Sequence, residues 1–297
     1  MTPQRHTHLD ALAMGLMVVL CALWGLNQVA AKVANSGISP VLQAGLRSAG
    51  AVLLLLGWCR VKGVRLFERD GSAPAGLAAG LLFAGEFALI FWGLDYTPAS
   101  RAVVFLYTAP FVVAIGLHWL VPAERLNRLQ AAGLACAFAG ILLAFGDNLS
   151  LPDRRQVIGD VMLLVAAVMW GATTVVVRTT RLAAIRPSKT LFYQLAVSAV
   201  MLPPVSALLG ERGIIGQPPP LVWASLAFQT VIVAFASYLT WFWLISRYPA
   251  TRLSAFAFLT PLFGMLLGAV LLGERITWGL GAAMALVAAG IWLVNRK

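Results

Sequence analysis

The sequence predicts an all-α integral membrane protein: ten transmembrane helices, arranged as two inverted-topology repeats of five around a central cavity. Three observations carry that expectation. Of 297 residues, 60% are hydrophobic and 11% charged, with a mean hydropathy of +0.86, whereas globular chains run roughly 45–50% apolar and about 25% charged. The apolar residues fall into ten runs, each close to the ~20 residues that a spanning helix needs. Finally, the second half of the chain matches the first.

The runs lie near 11–33, 41–59, 74–94, 99–120, 129–145, 158–177, 190–209, 221–246, 251–272 and 277–294. What remains suffices for short loops and two tails, which excludes a sizeable extramembrane domain. Arg5 precedes the first run, as in a signal peptide, but the run is too long and has a later counterpart, so it is read as retained. With the N-terminus inside, the inner segments hold fifteen basic residues: Arg5, Arg60, Lys62, Arg65, Arg69, Arg125, Arg128, Arg178, Arg181, Arg186, Lys189, Arg247, Arg252, Arg296 and Lys297. The outer segments hold six, namely Lys32, Arg101, Arg154, Arg155, Arg212 and Arg275, and Arg47 lies within the second run. Cytoplasmic loops carry the excess of Lys and Arg, so both termini are expected in the cytoplasm.

A net charge of +11 does not point to nucleic acid, because the basic residues are scattered among apolar runs and not gathered on one face. Cys21, Cys59 and Cys136 have no paired spacing, and the histidines are His6 and His8 in the tail and His118 near a helix end. No metal site and no cofactor is expected.

The internal repeat is the most informative feature. Phe91-Trp92 followed by Pro98-Ala99-Ser100-Arg101 aligns with Phe242-Trp243 followed by Pro249-Ala250-Thr251-Arg252, each pair 151 residues apart. Pro110 then meets Pro261, Glu124-Arg125 meets Glu274-Arg275, and Gly140-Ile141 meets Gly290-Ile291. Earlier, Trp24-Gly25 matches Trp170-Gly171, with Lys32 and Arg178 each eight residues on. Shared apolar composition would not place these elements in register. The repeats are expected at 1–150 and 151–297; five spans is an odd number, so the second enters the membrane from the opposite side. Proline at the start of a helix, where its missing N–H is harmless, makes each P-A-[ST]-R turn tight. Spans three and four, and eight and nine, should therefore be antiparallel hairpins. Gly76–Gly80 and Gly264–Gly268 offer close helix approach.

Trp24-Gly25-Leu26-Asn27 with Lys32, Ala44-Gly45-Leu46-Arg47, the P-A-S-R turn, Pro110 and the Glu-Arg pair resemble the drug/metabolite transporter superfamily, and within it the EamA-type ten-helix exporters. The resemblance covers nearly the whole chain. It implies a basket of helices around a central cavity, alternating access, a bacterial inner-membrane location and export of small metabolites, with amino acids and their derivatives the best-known cargo. One departure matters. The four-helix drug exporters of that superfamily use a first-span glutamate, which this chain lacks, so their drug/proton coupling does not transfer.

Polar groups in the hydrocarbon region are expensive and mark function by default. Glu86, mid-span among Phe83, Phe87 and Ile90, suits reversible protonation or pairing with a substrate amine; its repeat counterpart is Ser237. The plainer reading is a structural carboxylic acid bonded to another helix. Trp24, Asn27 and Gln28 share one helical face, and Trp170, Thr173 and Thr174 repeat the spacing; either they line a cavity or they pack. Tyr107 and Thr108 precede Pro110, and Thr260 precedes Pro261; such prolines permit a gating bend or a static kink. Tyr238 and Trp241, one turn apart, suit stacking on a substrate or simple packing. Arg47 either snorkels, or pairs with Glu86 or a substrate carboxylate; its match to the family motif implies a structural or gating role over direct binding. Pro203-Pro204 is expected to mark a kink or helix end. Lys32, Arg101, Arg178 and Arg252 read as topology determinants and lipid-headgroup anchors.

The function expected is therefore secondary transport: export of a small polar metabolite, an amino acid or derivative first, with lipid as surroundings and coupling protons as candidate partners. No nucleotide-binding motif is present. Monomer and homodimer stay open. An intramembrane enzyme would need a nucleophile–base pair or metal cluster, and neither GxSxG nor HExxH occurs. A non-transporting assembly factor or receptor is the alternative, disfavoured by the short loops.

Overall fold

The structure is a computed structural model, and the residues it describes are 6–146, 151–273 and 279–296. Arg5, Glu274, Arg275 and Lys297 lie outside the described residues. Helices α1 (Ala11–Ala34), α2 (Pro40–Val61) and α3 (Ala73–Leu94) are followed by α4 in two pieces, α4a (Ala99–Leu106) and α4b (Ala109–Leu120), and by α5 (Arg128–Phe145). The second half runs α6 (Arg154–Thr179), α7 (Pro187–Leu208), α8 (Pro220–Arg247), α9a (Ala250–Phe256), α9b (Leu259–Leu272) and α10 (Gly279–Asn295). Among the described residues, nine helices are long and apolar enough to cross a membrane, and α10 is shorter.

Local chemistry sets the boundaries. Asp10 caps α1 through Ala13 N–H at 2.8 Å, and Asn127 with Gln130, and Asp153 with Gln156, form capping boxes on α5 and α6. Prolines open α2, α7 and α8, and Gly273, at φ +70°, ends α9b in the left-handed conformation.

Three details differ from the sequence reading. Spans four and nine do not bend at their prolines; they break ahead of them. The ring of Pro110 cannot share space with the carbonyl four residues back, so α4a ends at Leu106 and Pro110 opens α4b. The same break separates Phe256 from Leu259 ahead of Pro261. Pro203-Pro204 does not end its helix: α7 continues to Leu208, with the Pro203 ring packed where Gly45 of α2 leaves room. Within α8, Gln229–Ser237 is π-helical.

The heaviest packing joins one helix from each half: α5 with α10, α3 with α6, α2 with α7 and α1 with α9b. The halves are interleaved, not set side by side. Tyr193 and Val197 of α7 fill the space beside Gly76 and Gly80 of α3. At the α5–α10 seam backbone meets backbone: a methyl group added at Gly290 would lie 2.5 Å from the Gly133 carbonyl oxygen, and one at Gly133 2.7 Å from that of Gly290.

Hydrogen bonds sort the loops into two ends. At the end carrying both termini (the terminal end), Tyr248 donates to Asp10 at 2.7 Å and Lys189 to Asp70 at 2.8 Å. At the opposite end, Ser39 N–H donates to Gly213 O at 2.8 Å. There the Glu211 carboxylate also accepts from the Val41 and Leu42 N–H groups at 3.0 and 3.1 Å, capping α2 from the α7–α8 loop.

Candidate functional site

A cavity of about 210 Å³ lies between the helices that the two breaks interrupt. Trp24, Asn27 and Gln28 reach it from α1, Arg47 from α2, and Phe83, Glu86 and Phe87 from α3. The broken α4 supplies Tyr107 and Pro110; Trp170, Thr173 and Thr174 come from α6. Gln194 of α7, Tyr238 and Trp241 of α8, and Ser254 and Thr260 of α9 complete the wall. All nine residues read from sequence as cavity candidates are thus brought to one place, together with Arg47 and Pro110. Pro261 is buried at the start of α9b and does not line the cavity.

The aromatic residues hold one another. Trp24 donates its indole N–H to Ser237 Oγ at 2.9 Å. Its ring stands edge-on to Trp241 and Tyr238, at 5.7 and 6.5 Å between centroids, an arrangement that quadrupoles favour. Tyr107 meets Trp170 edge-on at 5.7 Å, and Phe83 links Phe87 to Tyr238 at 5.0 and 5.9 Å. The aromatic walls therefore bridge both halves of the chain. Thr173 turns its hydroxyl back to Met169 O at 2.8 Å, a bond within its own helix.

The polar residues behave differently. Asn27 Oδ1, Arg47 Nε, Glu86 Oε2, Gln194 Nε2 and Thr260 Oγ1 are buried and have no hydrogen-bond partner among the described residues. All five residues line this cavity. Buried polar atoms are nearly always satisfied, and each exception calls for an explanation; so many around one space point to a polar ligand. Arg47 does not snorkel: it is 4% exposed and its guanidinium lies over the Phe87 ring, 4.3 Å from the centroid. Gln194 escaped the sequence reading, although the rule that singled out Glu86, a polar group inside an apolar run, applies equally to it.

Two basic residues read as headgroup anchors are instead interior. Arg178 is buried and donates to Glu124 through Nε and Nη2, and Glu124 also accepts from Thr251 N–H at 3.1 Å; the third guanidinium nitrogen, Nη1, donates to Ile245 O at 3.0 Å. This cluster ties α4b, α6, α8 and α9a together at the terminal end. Arg101 is buried at the opposite end, bonded to Asp160 at 2.6 and 2.9 Å, with Thr97 donating to the same carboxylate at 3.1 Å. The anchor reading fails because a span end lies as close to neighbouring helices as to lipid. A carboxylate on such a neighbour draws the guanidinium inward. Arg252, half-buried, bonds His8 and the Asn295 carbonyl. In the loop before α3, Lys189, and secondarily Ser72, hold the Asp70 carboxyl well below the usual carboxylate range.

A family model described as EamA-like transporter family matches residues 11–146 and 157–296. The chain is 27% identical over 292 residues to a probable amino-acid metabolite efflux pump of Salmonella typhimurium, covering 94% of this chain and 93% of that one. It is 28% identical to YvbV, an uncharacterized transporter of Bacillus subtilis, over 95% and 91% of the two chains. A solved crystal structure superposes with a TM-score of 0.82 at 18% identity, over 96% of each chain, and so shares the fold.

Proposed function

We propose that this chain, which belongs to the EamA-like transporter family, is a secondary transporter that exports a small polar metabolite, an amino acid or derivative, from the cytoplasm by alternating access. The observation that carries the reading is a set of five residues, each keeping one buried polar atom without a hydrogen-bond partner among the described residues, around one aromatic-walled cavity. A relative similar over nearly its whole length is named a probable amino-acid metabolite efflux pump, which favours that cargo. The excess of Lys and Arg at the terminal end favours a cytoplasmic position for it in an inner membrane. The Glu124–Arg178–Thr251 cluster then lies on the cytoplasmic side.

Reconstituted into liposomes, the protein should exchange labelled amino acids saturably across a panel of them, above empty liposomes. Glu86→Gln should slow that exchange at least tenfold or abolish its dependence on an imposed pH gradient. Asn27→Ala should weaken affinity. If no amino acid exchanges through correctly folded protein, the cargo assignment is wrong; if Glu86→Gln matches the wild type at every pH, Glu86 has no part in transport.

A further inference from the structure

Arg47 and Glu86 line the same cavity, one on α2 and the other on α3. Each is buried, at 4% and 7% exposure, and each keeps a polar atom without a partner among the described residues. Opposite charges that share a cavity shielded from water attract strongly, yet no ion pair joins these two. The ion pairs of the described residues are Arg65–Glu68, Arg101–Asp160, Arg178–Glu124 and Lys189–Asp70. Both buried pairs among these show that the fold can bring arginine and carboxylate into contact where contact is wanted. In the cavity they stay apart, with Phe87, adjacent to Glu86 in the chain, under the guanidinium. An arginine held over a ring keeps its N–H donors in the ring-parallel plane, and Arg47 Nε, without a partner among the described residues, remains to meet a planar anion.

On the amino-acid reading above, we propose that the two residues divide the cargo between them: Arg47 receives its carboxylate and Glu86 its ammonium. The site thereby selects the free zwitterion over any derivative in which either end is blocked. Gln194 and Asn27 offer a further donor and acceptor, and the aromatic walls contact the side chain. Leaving a buried charge unpaired is what makes the discrimination large. A ligand lacking one end strands the corresponding protein group, and hydrogen bonds to charged groups are worth more than neutral ones.

The test measures binding to the purified full-length chain, by thermal shift and by competition, for the standard amino acids, their methyl esters and their N-acetyl forms. Free amino acids should bind at least tenfold more tightly than the matching ester or N-acetyl compound. Arg47→Gln should erase the preference over the ester while keeping that over the N-acetyl form. Glu86→Gln should do the reverse. Each comparison is made on one protein preparation, so partial misfolding of a variant does not mimic the result, and Arg47→Lys serves as a second variant that keeps the charge but loses the fork. If free amino acids bind and their blocked forms bind equally well, the division of the ligand is overturned while the transport reading stands. If blocked forms alone bind, or nothing does, both are overturned.

Discussion

The two P-A-[ST]-R turns make the sharpest comparison in the molecule. They are nearly identical in sequence and related by the repeat, yet the copy at the opposite end is bare and the copy at the terminal end is covered. Pro98 and Ala99 are exposed, whereas Tyr248, Pro249, Ala250 and Thr251 are all buried. Proline sets the backbone in both; neighbours set the difference. At the terminal end Glu124 accepts the Thr251 N–H, His6 stacks on Tyr248 at 4.8 Å and Asp10 accepts its hydroxyl. At the opposite end Asp160 engages Arg101 and Thr97 and leaves Pro98 and Ala99 open. Matched turn sequences therefore do not impose matched burial; among the described residues, the side chains packed on each turn differ, with Glu124, His6 and Asp10 at one and Asp160 at the other.

The largest effect that would break this comparison is at Arg178. Arg178→Ala strands the buried Glu124, and removing one partner of a buried pair costs about 3–5 kcal/mol. The thermal midpoint should fall markedly, and a cysteine at Ser254 should become at least tenfold more reactive toward an impermeant thiol reagent added on the terminal side. Unchanged labelling would show that this cluster does not close that end. Asp160→Asn should cost somewhat less, about 2–3 kcal/mol, since the amide keeps an acceptor for Arg101; it should leave the labelling from the terminal side as it is. If it opens the terminal end too, the two closures are one.

A smaller effect concerns pH. Asp70, at the terminal end, has its carboxyl lowered from a usual value near 3.8, first by the hydrogen bond from Lys189. A lowered value in the folded state means that its contribution is complete above pH 3.8 and fades as pH falls below it. The difference in thermal midpoint between wild type and Asp70→Asn should thus be constant from pH 5 to 8 and shrink only in acid. A difference that changes around neutrality would mean that another group holds this loop. The smallest effect belongs to Arg155, whose exposed guanidinium donates to Asp95 O at 3.0 Å beside the bare turn. Arg155→Ala should shift stability by less than about 0.5 kcal/mol, and a larger loss would mean that the bare turn is tied down after all.

Helix count and the residues that reach the cavity were legible because hydrophobic runs and i, i+3, i+4 spacing are local signals. Trp24, Asn27, Trp170 and Tyr238 carry their meaning in the chain around them. Arg101 and Arg178 do not: a basic residue at a span end fits lipid anchorage and ion pairing equally, and the carboxylates that decide, Asp160 and Glu124, are 59 and 54 residues away. The breaks in α4 and α9 were announced by proline but not placed by it. The π-helical stretch of α8 has no sequence signal that we can name.

The α5–α10 seam has a consequence for what the bundle tolerates. Two helices, one from each half, approach backbone to backbone where Gly133 meets Gly290, and neither contributes a wall to the cavity. A joint so closely butted has no room for even a methyl group at either glycine. Any larger residue there must wedge the two halves apart, a strain carried by helices that the cavity does not use.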